Sequence, residues 1–233
     1  MNWKKIVIIF LIISSGIFYY QLTGKAIYQM QNVFIVRVLD GDTVELQGGE
    51  KIRLLGINTP EKNMFYFEEA KLFLEKLVLN KSVGFELKDT DKYGRWLGYI
   101  FVGDKMINEK ILNEGLASLY VYEPDEYFEK LEKAEEFARG NGLGIWRKSS
   151  QDGCVELREL KFQEDERCNN KEKLVLFNNC GEIDVLIKDD ATHIYLEVLQ
   201  PGLNEFNFSC VWNDAGDSIF IFDEKGLLLF WRY

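Results

Sequence analysis

Residues 33–61, VFIVRVLDGDTVELQGGEKIRLLGINTPE, read as three short strands broken by turns. Val33–Leu39, Thr43–Gln47 and Lys51–Ile57 are rich in Val, Ile and Leu, and Asp40-Gly41 and Gly48-Gly49 are turn signals between them. This is a meander. Downstream, Phe65–Leu79 carries Ala70, Phe73, Leu74, Leu77 and Val78 at helical spacing, with Asn80 as a left-handed stop. Val83–Leu87 and Trp96–Val102 read as two further strands, followed by a short helix from Met106 to Asn113 that Gly115 closes. A last helix from Asp125 to Arg139 turns Phe128, Leu131, Ala134 and Ala138 inward, with Asp125 as N-cap and Gly140 as stop. Five strands with three helices inserted and appended predict an OB-type barrel over residues 30–148, in a mainly β chain with some α.

Lys148 to Gly153 is polar and free of apolar periodicity, and reads as a linker. Beyond it seven segments have strand character: 154–160, 174–177, 185–188, 193–198, 205–210, 218–222 and 227–231. Their short spacing and lack of a helical pattern predict a β-sandwich over residues 154–233. At the other end Lys4 and Lys5 precede the apolar run Ile6–Leu22, so residues 1–25 read as a membrane anchor or an export signal. The flanking lysines would keep the N-terminus inside and place the rest of the chain outside the cytoplasm.

All four cysteines, Cys154, Cys168, Cys180 and Cys210, fall in the last third, and none has CxxC spacing. Outside the cytoplasm they imply two disulfides, with three pairings open. The formal net charge of -10 excludes a basic footprint for nucleic acid. Any such chemistry must come from a local site. His193 is the sole histidine, which excludes a histidine-pair nuclease, and it sits in a predicted strand as a structural residue.

Three segments mix acids and arginines between apolar strands: Asp40-Gly41-Asp42-Thr43, then Arg53 to Glu61, then Asp91-Lys92-Tyr93-Gly94-Arg95. Phosphodiester hydrolysis needs charge neutralisation on the non-bridging oxygens, activation of water and usually a hard cation. Asp42 and the pair Asn58-Thr59 offer oxygens of the kind Ca²⁺ takes. Arg53 and Arg95 can clamp phosphate bidentately.

Together with Gly115-Leu116-Ala117 and Gly144-Ile145-Trp146, these segments resemble the thermonuclease (staphylococcal nuclease) family over residues 33–147. The resemblance implies an OB-type barrel with three helices that cuts DNA and RNA with little sequence preference and leaves 3′-phosphate ends. It implies that Asp42, Asn58 and the carbonyl of Thr59 hold Ca²⁺, that Glu61 acts on the attacking water, and that Arg53 and Arg95 stabilise the pentacovalent phosphorus. Lys92 and Tyr93 would meet a terminal phosphate, and Tyr120 and Tyr122 would pack against the base. One departure is plain: the family's Gly-Ile-Asp-Thr-Pro-Glu has Asn58 in place of the aspartate, which removes a charge from the metal site. On charge alone Asn58→Asp should tighten Ca²⁺. A non-catalytic nucleic-acid-binding or surface-binding module is the alternative, and the retention of Arg53, Glu61 and Arg95 together favours the enzyme. The last domain resembles the lamin-tail family, an immunoglobulin-like sandwich, through Cys154 to Leu157, Leu174 to Asn179 and Trp212 to Ser218. That resemblance implies binding or placement, with a ligand of its own, and a monomer is expected.

Overall fold

Burial along the first strand shows how the sheet begins to curve. In β1 (Met30–Val38) the buried residues are Ile35 and Val38, three apart, because a register shift between Ile35 and Arg37 interrupts the alternation. These contacts come from a computed structural model that describes residues 30–121, 123–162, 172–191, 193–209, 211–212 and 216–233. The N-terminal segment 1–25, Tyr122, Cys168 and Cys210 lie outside the described residues. Among the described residues no helix is long and apolar enough to cross a membrane.

β1 pairs with β2 (Thr43–Leu46), and β2 pairs with β3 (Lys51–Leu54). The expected strand Lys51–Ile57 is in fact two. Gly56, with φ at 75°, turns the chain, and a Cβ there would lie 2.4 Å from Leu131 Cδ1. β4 (Gly56–Asn58) therefore leaves the barrel and pairs with β8 (Ser118–Tyr120). β5 (Ser82–Thr90) joins β1 to β6 (Trp96–Val102), and a parallel pairing of β3 with β6 closes the ring of five strands. A short β7 (Lys105–Met106) extends the edge.

Three helices cover the barrel. α1 (Phe67–Val78) buries Ala70, Leu74 and Val78 at i, i+4 and i+8, and Asn80 follows in the left-handed conformation, as its amide side chain predicts. α2 is Ile107–Asn113, and α3 (Phe128–Gly140) buries Leu131, Ala134, Glu135 and Ala138. Asp125 is not the N-cap of α3: its carboxylate accepts hydrogen bonds from Tyr127 N and Tyr99 Oη in the turn before the helix.

All seven predicted strands of the last third form. One sheet has the order β13 (Gly202–Phe208), β10 (Glu172–Asn178), β9 (Val155–Lys161); the other runs β12 (Ile194–Leu199), β11 (Ile183–Lys188), β14 (Ser218–Asp223), β15 (Gly226–Arg232). Val155, Leu174 and Leu176 of the first share a core with Ile187, Ile219 and Ile221 of the second, which makes a two-sheet sandwich. Cys154 and Cys180 are joined by a disulfide.

The segment that composition marks as a linker is stitched to the sandwich. Ser149 N donates to Leu227 O, Leu227 N to Arg147 O, and the buried Ser149 hydroxyl to Asp223. Trp146 and Ala138 pack with Phe220, Phe222 and Leu227 in a small shared core. Across the same junction Arg232 forms an ion pair with Glu135, whose side chain is 1% exposed and also accepts from Leu119 N. Removing one partner of a buried ion pair leaves an uncompensated charge and costs about 3–5 kcal/mol. Arg232→Met is therefore expected to lower unfolding stability by about that much in urea titrations, and adding Glu135→Leu should recover only part of it, because Leu119 N then loses its acceptor and Asp190 still lacks the guanidinium.

Candidate active site

Two glycine-dependent turns bring the acids together. The Asp40-Gly41-Asp42 turn joins β1 to β2, and a Cβ on Gly41 would sit 2.8 Å from the Thr59 side chain. Only glycine lets this turn press against the Asn58-Thr59 segment that Gly56 swings out of the barrel. There Asp42 is 6% exposed and accepts from four donors: Thr43 Oγ1 at 3.0 Å, Thr59 N at 3.0 Å, Thr59 Oγ1 at 2.8 Å and Arg53 Nε at 3.0 Å.

Arg53 projects from β3 and is held on every side. Its guanidinium donates to the carbonyls of Leu54 and Ile57, to Asn58 Oδ1 at 3.0 Å and to Asp42. Arg95 lies at the end of a tight turn. Asp91 Oδ2 accepts from Arg95 Nε at 2.7 Å, while Asp91 Oδ1 accepts from the backbone of Tyr93 and Arg95 at 2.9 Å. Burial alone would push the Asp91 carboxyl up, but the hydrogen bonds from Arg95 and Tyr93 outweigh it and hold it below the usual carboxylate range.

A cleft of about 530 Å³ collects these groups: Asp42, Asn58, Thr59, Arg53, Glu61, Arg95 and Tyr120 all line it. Glu61 stands exposed on the rim. Lys92 and Tyr93 do not line the cleft. They sit on the exposed turn beside Arg95, with Lys92 Nζ 5.1 Å from the Tyr93 ring and Tyr93 75% exposed. Tyr122 lies outside the described residues. His193 is also away from the cleft, and its Nδ1 is 2.6 Å from Asp189 Oδ2 within the sandwich.

Two lining residues escape a reading of local motifs. Asp40 lies in the cleft, with its Oδ1 3.0 Å from Asp42 N; burial first, and then the charge of Asp42, push its carboxyl up to about 6. Its position in Asp40-Gly41-Asp42 was the available signal. The other is Ala191, contributed by the sandwich. Asn58 Nδ2 donates to Asp190 O at 2.8 Å and to Ala191 O at 3.1 Å. No local sequence signal predicts a contact across 132 residues.

The donor set suits a hard cation. Asp40 and Asp42 are two carboxylates held side by side in partial burial, and Asn58 and Thr59, which carry neutral oxygens, line the same cleft. Burial first, and then the neighbouring Asp42 charge, disfavour the ionised form of Asp40. Among the described residues no group of three or more His, Cys, Asp or Glu converges, so the set is poor in charge.

Comparison with known proteins agrees with this geometry. Residues 51–148 match the family described as Staphylococcal nuclease homologue. The chain is 36% identical over 128 residues to a thermonuclease of Staphylococcus intermedius, covering 50% of this chain and 76% of that protein. A thermonuclease of Staphylococcus hyicus is 34% identical over the same shares. Endonuclease YncB of Bacillus subtilis is 35% identical over 147 residues, covering 54% of this chain and 70% of the relative.

Proposed function

The chain belongs to the staphylococcal nuclease homologue family, and from that premise we propose that it is a Ca²⁺-dependent nuclease acting on DNA and RNA with little sequence preference and leaving 3′-phosphate ends. One observation carries the reading: two arginines, a rim glutamate and an oxygen-rich acidic wall line a single cleft. Asp40, Asp42, Asn58 and the Thr59 carbonyl would hold the cation, which supplies charge stabilisation at the phosphate oxygens. Arg95, oriented through its Nε by Asp91, offers the Nη1 and Nη2 side of its guanidinium to the charge that builds on phosphorus-bound oxygens. Arg53, whose Nε and Nη1 protons go to Asp42 and to the carbonyls of Leu54 and Ile57, brings its positive charge and one remaining Nη2 proton. Glu61, exposed and at the rim, would take the proton of an incoming water.

A carboxylate at that position argues against a pure binding module, because it repels a phosphate that it does not help to cleave. With a net charge of -10 the chain steers nucleic acid poorly, so catalysis depends on the local cleft. The sandwich, which resembles a lamin-tail domain, serves placement or binding of its own ligand. The N-terminal segment anchors or exports the chain, and the Cys154–Cys180 bridge is consistent with an oxidising compartment.

The ends decide the product assignment. Plasmid and RNA digested by the full chain should yield fragments that a polymerase extends only after phosphatase treatment. Directly extendable 3′-hydroxyl ends would overturn the product, and absence of any cleavage would overturn the nuclease.

A further inference from the structure

We propose that the sandwich loop Asp189–Ala191 is a positioning wall of the nuclease cleft, acting through Asn58 on Arg53, and that this contact is why position 58 carries an amide. The catalytic part of this inference rests on the function proposed above; the docking part does not.

The chain of contacts is continuous. Asn58 is 8% exposed, and its Nδ2 uses both protons on the carbonyls of Asp190 and Ala191, at 2.8 and 3.1 Å. That fixes the amide plane and leaves Oδ1 facing Arg53 Nη2 at 3.0 Å. The loop itself is clamped from two sides. Lys188, 6% exposed, donates from Nζ to Asp189 O at 2.6 Å and Ala191 O at 3.0 Å and stands 5.6 Å from the Phe220 ring. On the other side the buried Asp189 carboxylate accepts from His193 N at 3.0 Å and pairs with its imidazole. Asp190 is tied to Ser218 Oγ, and Arg232 fixes the whole unit to Glu135 of α3. Ala191 then lines the cleft directly.

An aspartate at position 58 could not make this contact. One of its oxygens would face two carbonyl oxygens at hydrogen-bond distance with no proton between them, and acceptors so placed repel. The extra charge that would favour a cation is thus set against the docking of the second domain. Asparagine satisfies the loop with its nitrogen and keeps one oxygen for the cleft.

The test uses the full chain with Lys188→Met and, separately, Asn58→Asp. The Lys188 ammonium donates to two loop carbonyls and its charge is also felt at Glu61, so Lys188→Met frees the carbonyls and removes that charge together; slowed cleavage counts for the clamp only where exchange quickens in residues 57–59 as well. Losing a hydrogen-bonded clamp should lower kcat for a short oligonucleotide about tenfold, with KM within about twofold, because Arg53 is misplaced for the transition state and not for binding. Hydrogen exchange should quicken together in residues 189–191 and 57–59 in both variants. A merely structural lysine would lower the melting temperature and leave kcat of the folded protein unchanged, which would overturn the proposal. So would unaltered exchange in Asn58→Asp, or faster cleavage by Lys188→Met. If the wild-type chain cleaves nothing, the nuclease reading fails, and the exchange measurement still decides whether the loop holds Asn58.

Discussion

Glu61→Gln and Arg95→Ala are each expected to lower kcat by a factor of about 10²–10⁴ while the protein stays folded. The size follows from where the groups act. A positioned base contributes in the transition state, and so does a guanidinium aimed at developing charge, so neither loss is hidden in substrate affinity. Both side chains are also nearly free of structural duty. Glu61 is exposed on the rim, and Arg95 is one third exposed against an Asp91 that keeps two backbone donors. Arg95→Lys should recover little, because a point charge cannot reproduce the planar fork. Arg53→Ala is a poorer experiment, since it also unpairs the buried Asp42 and confounds activity with stability. Plasmid cleavage rates beside thermal melts make the comparison, and near-wild-type turnover in both variants would remove Glu61 and Arg95 from the mechanism.

Chelation should abolish cleavage, and Ca²⁺ at about 10⁻⁴–10⁻³ M should restore it. Oxygen is the only donor type at the wall, and two of the four donors are neutral, which points to a weak site for a hard cation. The raised Asp40 carboxyl carries the same message, because burial and the neighbouring Asp42 disfavour its charge until a cation compensates it. A ligand that binds only the folded state adds about 2.7 kcal/mol at a hundredfold excess over its dissociation constant. The melting temperature should therefore rise with Ca²⁺ over the range that restores cleavage. Full activity in chelator, or a melt indifferent to Ca²⁺, would exclude the cation from this cleft.

The sequence by itself determined most of the architecture and several of the residues that line the cleft. Runs rich in Val, Ile and Leu, Asp-Gly and Gly-Gly turns and helical spacing are local signals, and they placed the five barrel strands, the three helices and all seven sandwich strands within a few residues. Asp42, Glu61, Arg53 and Arg95, which line one cleft, were legible for the same reason: they sit on turns and strand ends whose geometry a few neighbouring residues dictate. Where the reading slipped, a longer contact decided. Leu131, 75 positions from Gly56, crowds the point where one expected strand became two, and β8 supplies the partner that β4 needs. Polar composition marked 148–153 as a linker, yet its backbone found partners in β15 and its Ser149 hydroxyl found Asp223. Nothing near Asn58 in the chain announces that its amide faces Asp190 and Ala191, or that Glu135 waits for Arg232. Periodicity tells a residue which side is buried, whereas the partner of a buried polar atom is chosen by whichever donor or acceptor the folded chain delivers, and only the tertiary structure decides that.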